Sequence, residues 1–270
     1  MGAVASSPLV SRAAGSGPLL AIDTSGRLCA TGLFDGPIEL ARTVLDLGRG
    51  HAERVVEACE RSLREAGMAW SDVGRIAVTI GPGSFTGIRA GVAAARGLAL
   101  SLGVPATGVT TLEAMRGPDA SYGAPRTASY TGPYMAPCTV ALDARRGQLY
   151  AQGFAADGTA LTAPVLATAA ALATDPSLPT LVIGSGASLL VDAFGASGRE
   201  ASLVERDGHP MLDAQPDIAA VAARALRDGA PARPPAPFYL RGADAKLPGG
   251  VEPAIPAGAT PAPPSHARLR

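Results

Sequence analysis

Two aspartates stand where nucleotide chemistry would want them. Asp23 closes the apolar run LLAID (19–23) and is followed by Thr24, Ser25 and Gly26. Asp143 closes TVALD (139–143) and is followed by Ala144, Arg145 and Arg146. A carboxylate that leaves a buried strand beside small hydroxyl residues can hold the metal of a bound nucleotide while the turn approaches its phosphates, and two such turns are what a phosphoryl-transfer enzyme offers. The stretch Asp-Thr-Ser-Gly is equally an ordinary Asx turn ahead of a hairpin. Both readings of Asp23 stand at this level.

A third candidate is GPGSFTGIRAG (81–91), a glycine-rich turn that opens a helix, as phosphate-cradling loops do. Ser84 fits an N-cap. Gly87-Ile88-Arg89 lacks the G-K-[ST] that closes a Walker loop. Behind the turn, Gly87, Gly91, Ala95 and Ala99 recur every four residues and make a smooth ridge on which another backbone can lie, while Arg89 and Arg96 share one narrow stripe. A glycine inside a helix costs about 1 kcal/mol relative to alanine, so close packing is expected to offset it. The ridge faces either the chain's own sheet or a second chain.

Other chemistries find little support. The histidines are His51, His209 and His266, with no HExxH or HxxxH, so a catalytic metal and a metallopeptidase are not expected. No GxSxG occurs. Cys29, Cys59 and Cys138 form no CxxC and read as reduced core thiols of a cytoplasmic protein. Lys plus Arg and Asp plus Glu are 23 each, which argues against a stand-alone nucleic-acid binder; a role on RNA would lean on a partner's charge. With 47% hydrophobic and 17% charged residues, a sizeable core is expected. No apolar run approaches the ~20 residues of a membrane span.

The elements that must hold these residues follow from periodicity. Strands are read at 19–23, 27–34, 38–45, 75–80 and 104–109, with Asp35-Gly36 as a hairpin turn. Helices are read at 51–67, stopped by Gly67 and supported by Glu57–Arg61 and Glu60–Arg64 pairs, and at 84–103. Residues 117–137 read as a loop. TVALDARRGQLYAQGF (139–154) then echoes LLAIDTSGRLCATGLF (19–34), placing Asp143 opposite Asp23 and Leu149 opposite Leu28, with Asp157-Gly158 repeating the hairpin signal. A helix at 168–175, a strand and turn at 180–186, a helix at 217–229 and an edge segment at 238–245 complete the second half. The expected class is α/β, a duplicated ribonuclease-H-like, actin-like fold of two β-β-β-α-β-α lobes. The expected divisions are a disordered extension (1–17), lobes at 18–112 and 113–245, and a disordered tail (246–270).

At residues 77–115 the sequence resembles the TsaB (YeaZ) family of bacterial tRNA-modification proteins. GPGSFTGIR carries most of the likeness, and LLAIDTS, HAERVVE (51–57), ALDARRGQLY (141–150) and FYLR (238–241) add to it. The resemblance implies an actin-like fold and a non-catalytic subunit, cytoplasmic, without a cofactor of its own. Its implied partners are a TsaD-like catalytic subunit and a TsaE-like ATPase, which supply the metal and ATP, and tRNA is met through the complex. Catalytic relatives carry HLEGH, whose histidines bind metal; here TLEAM puts Thr111 and Met115 at those positions. Pairing is implied through helices 51–67 and 84–102, with Val55, Val56, Cys59, Leu63, Gly87, Arg89, Gly91 and Ala95 as interface candidates, and with self-association of the lone chain through the same surface. The alternative is an actin-fold small-molecule kinase using Asp23 and Asp143.

Overall fold

An apolar run without alternation marks a strand covered on both faces. Leu19–Asp23 (β1) is buried at every position and lies inside a five-stranded sheet. Leu28–Asp35 (β2) and Ile38–Asp46 (β3) extend it antiparallel, turning at Gly36 with φ 55°. Arg75–Gly81 (β4) and Ala106–Thr110 (β5) extend it in parallel on the other side, giving the order β3-β2-β1-β4-β5. Parallel neighbours need crossovers, which His51–Glu65 (α1) and Phe85–Leu102 (α2) supply. Thr111–Arg116 (α3) follows β5 directly.

The computed structural model describes residues 17–117, 136–206, 209–212, 215–229 and 233–241. The expected N-terminal extension (except Gly17), the loop (except 117, 136 and 137) and the C-terminal tail lie outside the described residues. The described residues up to Leu240 belong to one compact unit; of the second, Arg241–Arg270, Arg241 alone is described.

The pattern then repeats. Cys138–Asp143 (β6), Gln148–Phe154 (β7) and Val165–Thr168 (β8) form an antiparallel meander, and Leu181–Ile183 (β9) and Ser202–Leu203 (β10) join in parallel beyond β6. The order β8-β7-β6-β9-β10 matches the first sheet strand for strand. Ala169–Ala173 (α4) and Ala187–Ala196 (α5) are its crossovers. A ribbon of Glu205–Arg206 (β11) and His209–Pro210 (β12) precedes Ile218–Asp228 (α6).

Four clusters of buried side chains define five layers. Helices α1 and α2 cover one face of the first sheet, meeting Leu20, Ile22, Ile76 and Val78. Its other face, with Leu19, Ala21 and Ala77, meets α6 and Ala114 of α3. Leu112 and Met115 of α3 and Ala220 of α6 turn the opposite way, onto Val140, Leu142 and Ile183 of the second sheet. Helices α4 and α5 close that sheet's far face. Small alanines on α6 let both sheets approach the shared middle layer. This is the duplicated actin-like arrangement expected from the echo.

Several readings need correction. The paired registers set Asp23 against Ala30 and Asp143 against Leu149, so Leu149 corresponds to Ala30 rather than Leu28. The two-residue slip preserves which face each side chain takes, because strand side chains alternate with period two. The expected Glu57–Arg61 and Glu60–Arg64 pairs are replaced by Arg54–Glu57 and Arg61–Glu65. Of the edge segment read at 238–245, residues 238–241 form no strand and 242–245 lie outside the described residues; the Phe238 N–H donates one bond to the Ile80 carbonyl at 2.7 Å.

Candidate functional site

The Asp23 turn is sealed. Asp23 and Thr24 are fully buried, and Ser25 is nearly so. The Thr79 hydroxyl (2.6 Å) and the Ser25 N–H (2.9 Å) both donate to Asp23 Oδ1. Gln215 Nε2 donates to Oδ2 at 3.0 Å, and also to the Leu28 carbonyl, while its Oε1 accepts from the Leu28 N–H. Gln215 comes from the segment just before α6 and reaches the β1–β2 turn from outside the first sheet. A Cβ at Gly26 would collide with the Gln215 stem, so this glycine makes room for the plug. Both carboxylate oxygens are thus committed to donors of the chain itself.

The glycines of 81–91 meet this same turn. The Ser84 N–H donates to the Ser25 carbonyl at 2.7 Å, and the Thr24 hydroxyl donates to the Gly87 carbonyl at 2.8 Å. A Cβ at Gly83 would overlap the Ser25 carbonyl oxygen; at Gly87, the Thr24 carbonyl oxygen; at Gly91, Thr24 Oγ1. Gly81 has φ 109° and lies against the Phe238 carbonyl. Ser84 caps α2 by accepting from the Gly87 N–H at 3.2 Å, and Gly103 closes the helix in the left-handed region. The loop brings two backbones together: Gly83, Gly87 and Gly91 make room for Thr24 and Ser25, and Gly81 for the Phe238 segment.

This packing relocates most of the interface candidates. Gly87, Gly91 and Ala95 lie against the chain's own sheet, and Val55, Cys59 and Leu63 fill the core beneath α1. They cannot touch a second chain while this core is intact. Val56 (42% exposed) and Arg89 remain on the surface. The outer face of α2 adds Ala93, Gly97 and Leu100, the last 86% exposed.

Thr111 and Met115 sit one turn apart on α3, both buried, with Met115 in the apolar cluster under the second sheet. The Thr111 hydroxyl has no hydrogen-bond partner among the described residues. The helix is fixed by a capping box in which Thr110 Oγ1 accepts from the Glu113 N–H and Glu113 accepts from the Thr110 N–H. Arg224 of α6 pairs with Glu113 at 2.8 Å. Among the described residues, no three His, Cys, Asp or Glu side chains are placed to hold a metal.

Asp143 differs from its counterpart. It is exposed, accepts from the Arg145 N–H at 2.7 Å, and donates its own N–H to Ser185 Oγ at 3.0 Å. Arg145, Arg146 and Gly147 all take left-handed φ, of 65°, 56° and 71°, and the Gln148 N–H donates to the Arg145 carbonyl at 3.1 Å, so Arg146 and Gly147 are the central pair of a primed hairpin turn. Gly184 and Gly186 pack against Ala141 and Asp143 much as the 81–87 loop packs against the first turn, so the close approach is itself duplicated. The kinase candidates therefore sit in unlike settings, one plugged and one open.

Thr79, Gln215 and Tyr239 were not singled out from sequence. Tyr239 carries a surface cluster: Arg89 Nε donates to its hydroxyl at 2.8 Å, and the guanidinium lies over Phe85, 3.8 Å from the ring centre. Burial pushes the Cys29 thiol up to about 11, helped by the Asp23 charge, and raises Cys59 and Cys138 as well. None is poised as a nucleophile.

Comparison with known proteins agrees with the geometry. The family described as TsaD, tRNA N6-adenosine threonylcarbamoyltransferase, matches residues 46–188. The chain is 31% identical over 244 residues to the tRNA threonylcarbamoyladenosine biosynthesis protein TsaB of Escherichia coli K12, covering 86% of this chain and 98% of that one. It is 35% identical over 132 residues to the protein of the same name from Bacillus subtilis 168, covering 49% and 52%. Among solved structures, a Pseudomonas aeruginosa protein described as similar to peptidase YeaZ superposes with TM-score 0.62 at 26% identity, covering 83% of this chain and all of that one. YeaZ from the same organism gives 0.61 at 24% with the same coverage.

Proposed function

The chain belongs to the TsaB (YeaZ) family, and from that premise we propose that it is the non-catalytic subunit of a tRNA-modifying assembly. The assembly places a threonylcarbamoyl group on N6 of adenosine 37 in tRNAs that read codons beginning with A. A TsaD-like subunit performs the transfer with a TsaE-like ATPase, and this chain holds the first in a competent state. ATP and metal belong to those partners. Docking uses the outer faces of α1 and α2, where Val56 and Leu100 stand exposed while the small-residue ridge stays inside.

The observation that carries this reading is the sealed Asp23. Asp23 is fully buried and accepts from Thr79 and Ser25 on one oxygen and from Gln215 on the other, so donors of its own chain stand where a nucleotide-binding turn would present a carboxylate to a phosphate-bound cation. Thr111 and Met115 support it, since neither replaces an imidazole at a hard metal site. The kinase alternative keeps Asp143 but loses its first carboxylate. The test is omission: purified TsaD- and TsaE-like partners, the threonylcarbamoyl donor and tRNA are assayed with and without this chain. Modification is expected only with it, and equal modification without it overturns the proposal.

A further inference from the structure

We propose that Phe85, Arg89 and Tyr239 form a stacking platform for one unpaired nucleotide of the RNA. This deepens the reading above and rests on it. The two rings lie 5.4 Å apart, tilted by 37°, and both remain open to solvent, Phe85 at 49% and Tyr239 at 40%. Large aromatics are rare here, with Phe, Tyr and Trp making up 4% of the sequence, yet two are held side by side at the surface. They come from distant parts of the chain, the first turn of α2 and the segment after α6, and the Phe238–Ile80 backbone bond fixes the second beside the first.

Arg89 makes the pair specific for an anionic, flat partner. Its guanidinium stacks on Phe85 at 3.8 Å and lies 5.8 Å from the Tyr239 ring centre, while its Nε is anchored on the tyrosine hydroxyl. It has no acidic partner among the described residues, and α2 contains no Asp or Glu along its whole length. Arg27, Arg54 and Arg61, by contrast, are paired with Asp46, Glu57 and Glu65. A rigid, unneutralised guanidinium between two open rings offers π-faces to a base and N–H groups to its phosphate, the combination by which proteins hold single-stranded nucleic acid. The platform lies at the start of α2, about 22 Å along the helix from Leu100 at 1.5 Å per residue, so an occupant here need not displace a partner docked there.

The experiment is ultraviolet cross-linking of tRNA to the chain assembled with its TsaD-like partner, with adducts mapped by mass spectrometry. Nucleotide adducts are expected on Phe85 or Tyr239. Tyr239→Ala and Arg89→Gln should each reduce them about tenfold, whereas Tyr239→Phe, which keeps the ring, should retain them. Thermal melts of each variant confirm folding, and the conservative Tyr239→Phe keeps the test decisive if an alanine variant unfolds. Absence of adducts from both residues, or an unchanged Phe85 adduct in folded Tyr239→Ala, overturns the platform. So does loss of partner binding by Tyr239→Ala with cross-linking unaltered, which would make the patch a protein contact. The omission assay fails separately: if the chain proves dispensable for modification, the functional reading falls whatever the adducts show.

Discussion

Gln215 does for Asp23 what a cation does in a nucleotide-binding turn: it brings positive hydrogen-bonding charge density to a buried carboxylate. Gln215→Ala should therefore cost about 1–3 kcal/mol, the penalty for stranding a buried acceptor, measured as a lower urea midpoint with an unchanged slope. No periodic pattern marks this residue, since it lies between elements and acts 192 positions away from its partner. The aspartate itself was legible, as was its turn; what filled it was not, because a long-range polar contact leaves no local trace. The thiols give a second residue-scale prediction. Below pH 9.0, the ordinary thiol value, both folded and unfolded chains keep the Cys29 proton. Between there and about 11 the unfolded chain releases it and the folded chain does not. Stability should be at its full value below this window and fall as pH rises through it, as denaturant titrations at pH 8 and 10.5 would show. At pH 8 all three cysteines should resist a thiol reagent until denaturant is added.

Helix α2 shows best what an element reveals in sequence and what it hides. Its ends were readable, because Ser84 caps one and Gly103 the other. The direction of its small-residue ridge was not, because periodicity says that a face is smooth without saying what lies on it. Thr24 lies on it. Gly91→Ala should thus destabilise the isolated chain by about 1–3 kcal/mol through overpacking, seen in thermal or urea melts without any partner present. Gly97, which has open space around it, should accept alanine without loss. Elsewhere β8, β10, α3 and α5 escaped notice. The strands span four and two residues, too short for alternation to register. Helix α3 begins immediately where β5 ends and spans six residues, too few for a helical stripe to register. Helix α5 is apolar on most sides and carries no stripe to read.

For the whole molecule, duplication is the organising fact. Each half builds the same five-stranded sheet and seats a glycine turn against an aspartate turn, and the halves share α3 and α6 as a common middle layer. The echo at 139–154 made this legible, although slipped by two residues. In the first half the turn is plugged and the helices α1 and α2 face outward, which suits a subunit that acts by docking. Leu100→Glu should leave folding intact, since the side chain is 86% exposed, and weaken binding to a TsaD-like partner by tenfold or more in a calorimetric titration. The most direct measurement of the central claim is turnover by the purified chain alone, given tRNA, the threonylcarbamoyl donor and Mg-ATP, with modified adenosine read by mass spectrometry. The account predicts none, and full activity once the TsaD- and TsaE-like subunits are added. Multiple turnovers by this chain with nothing else present would contradict it.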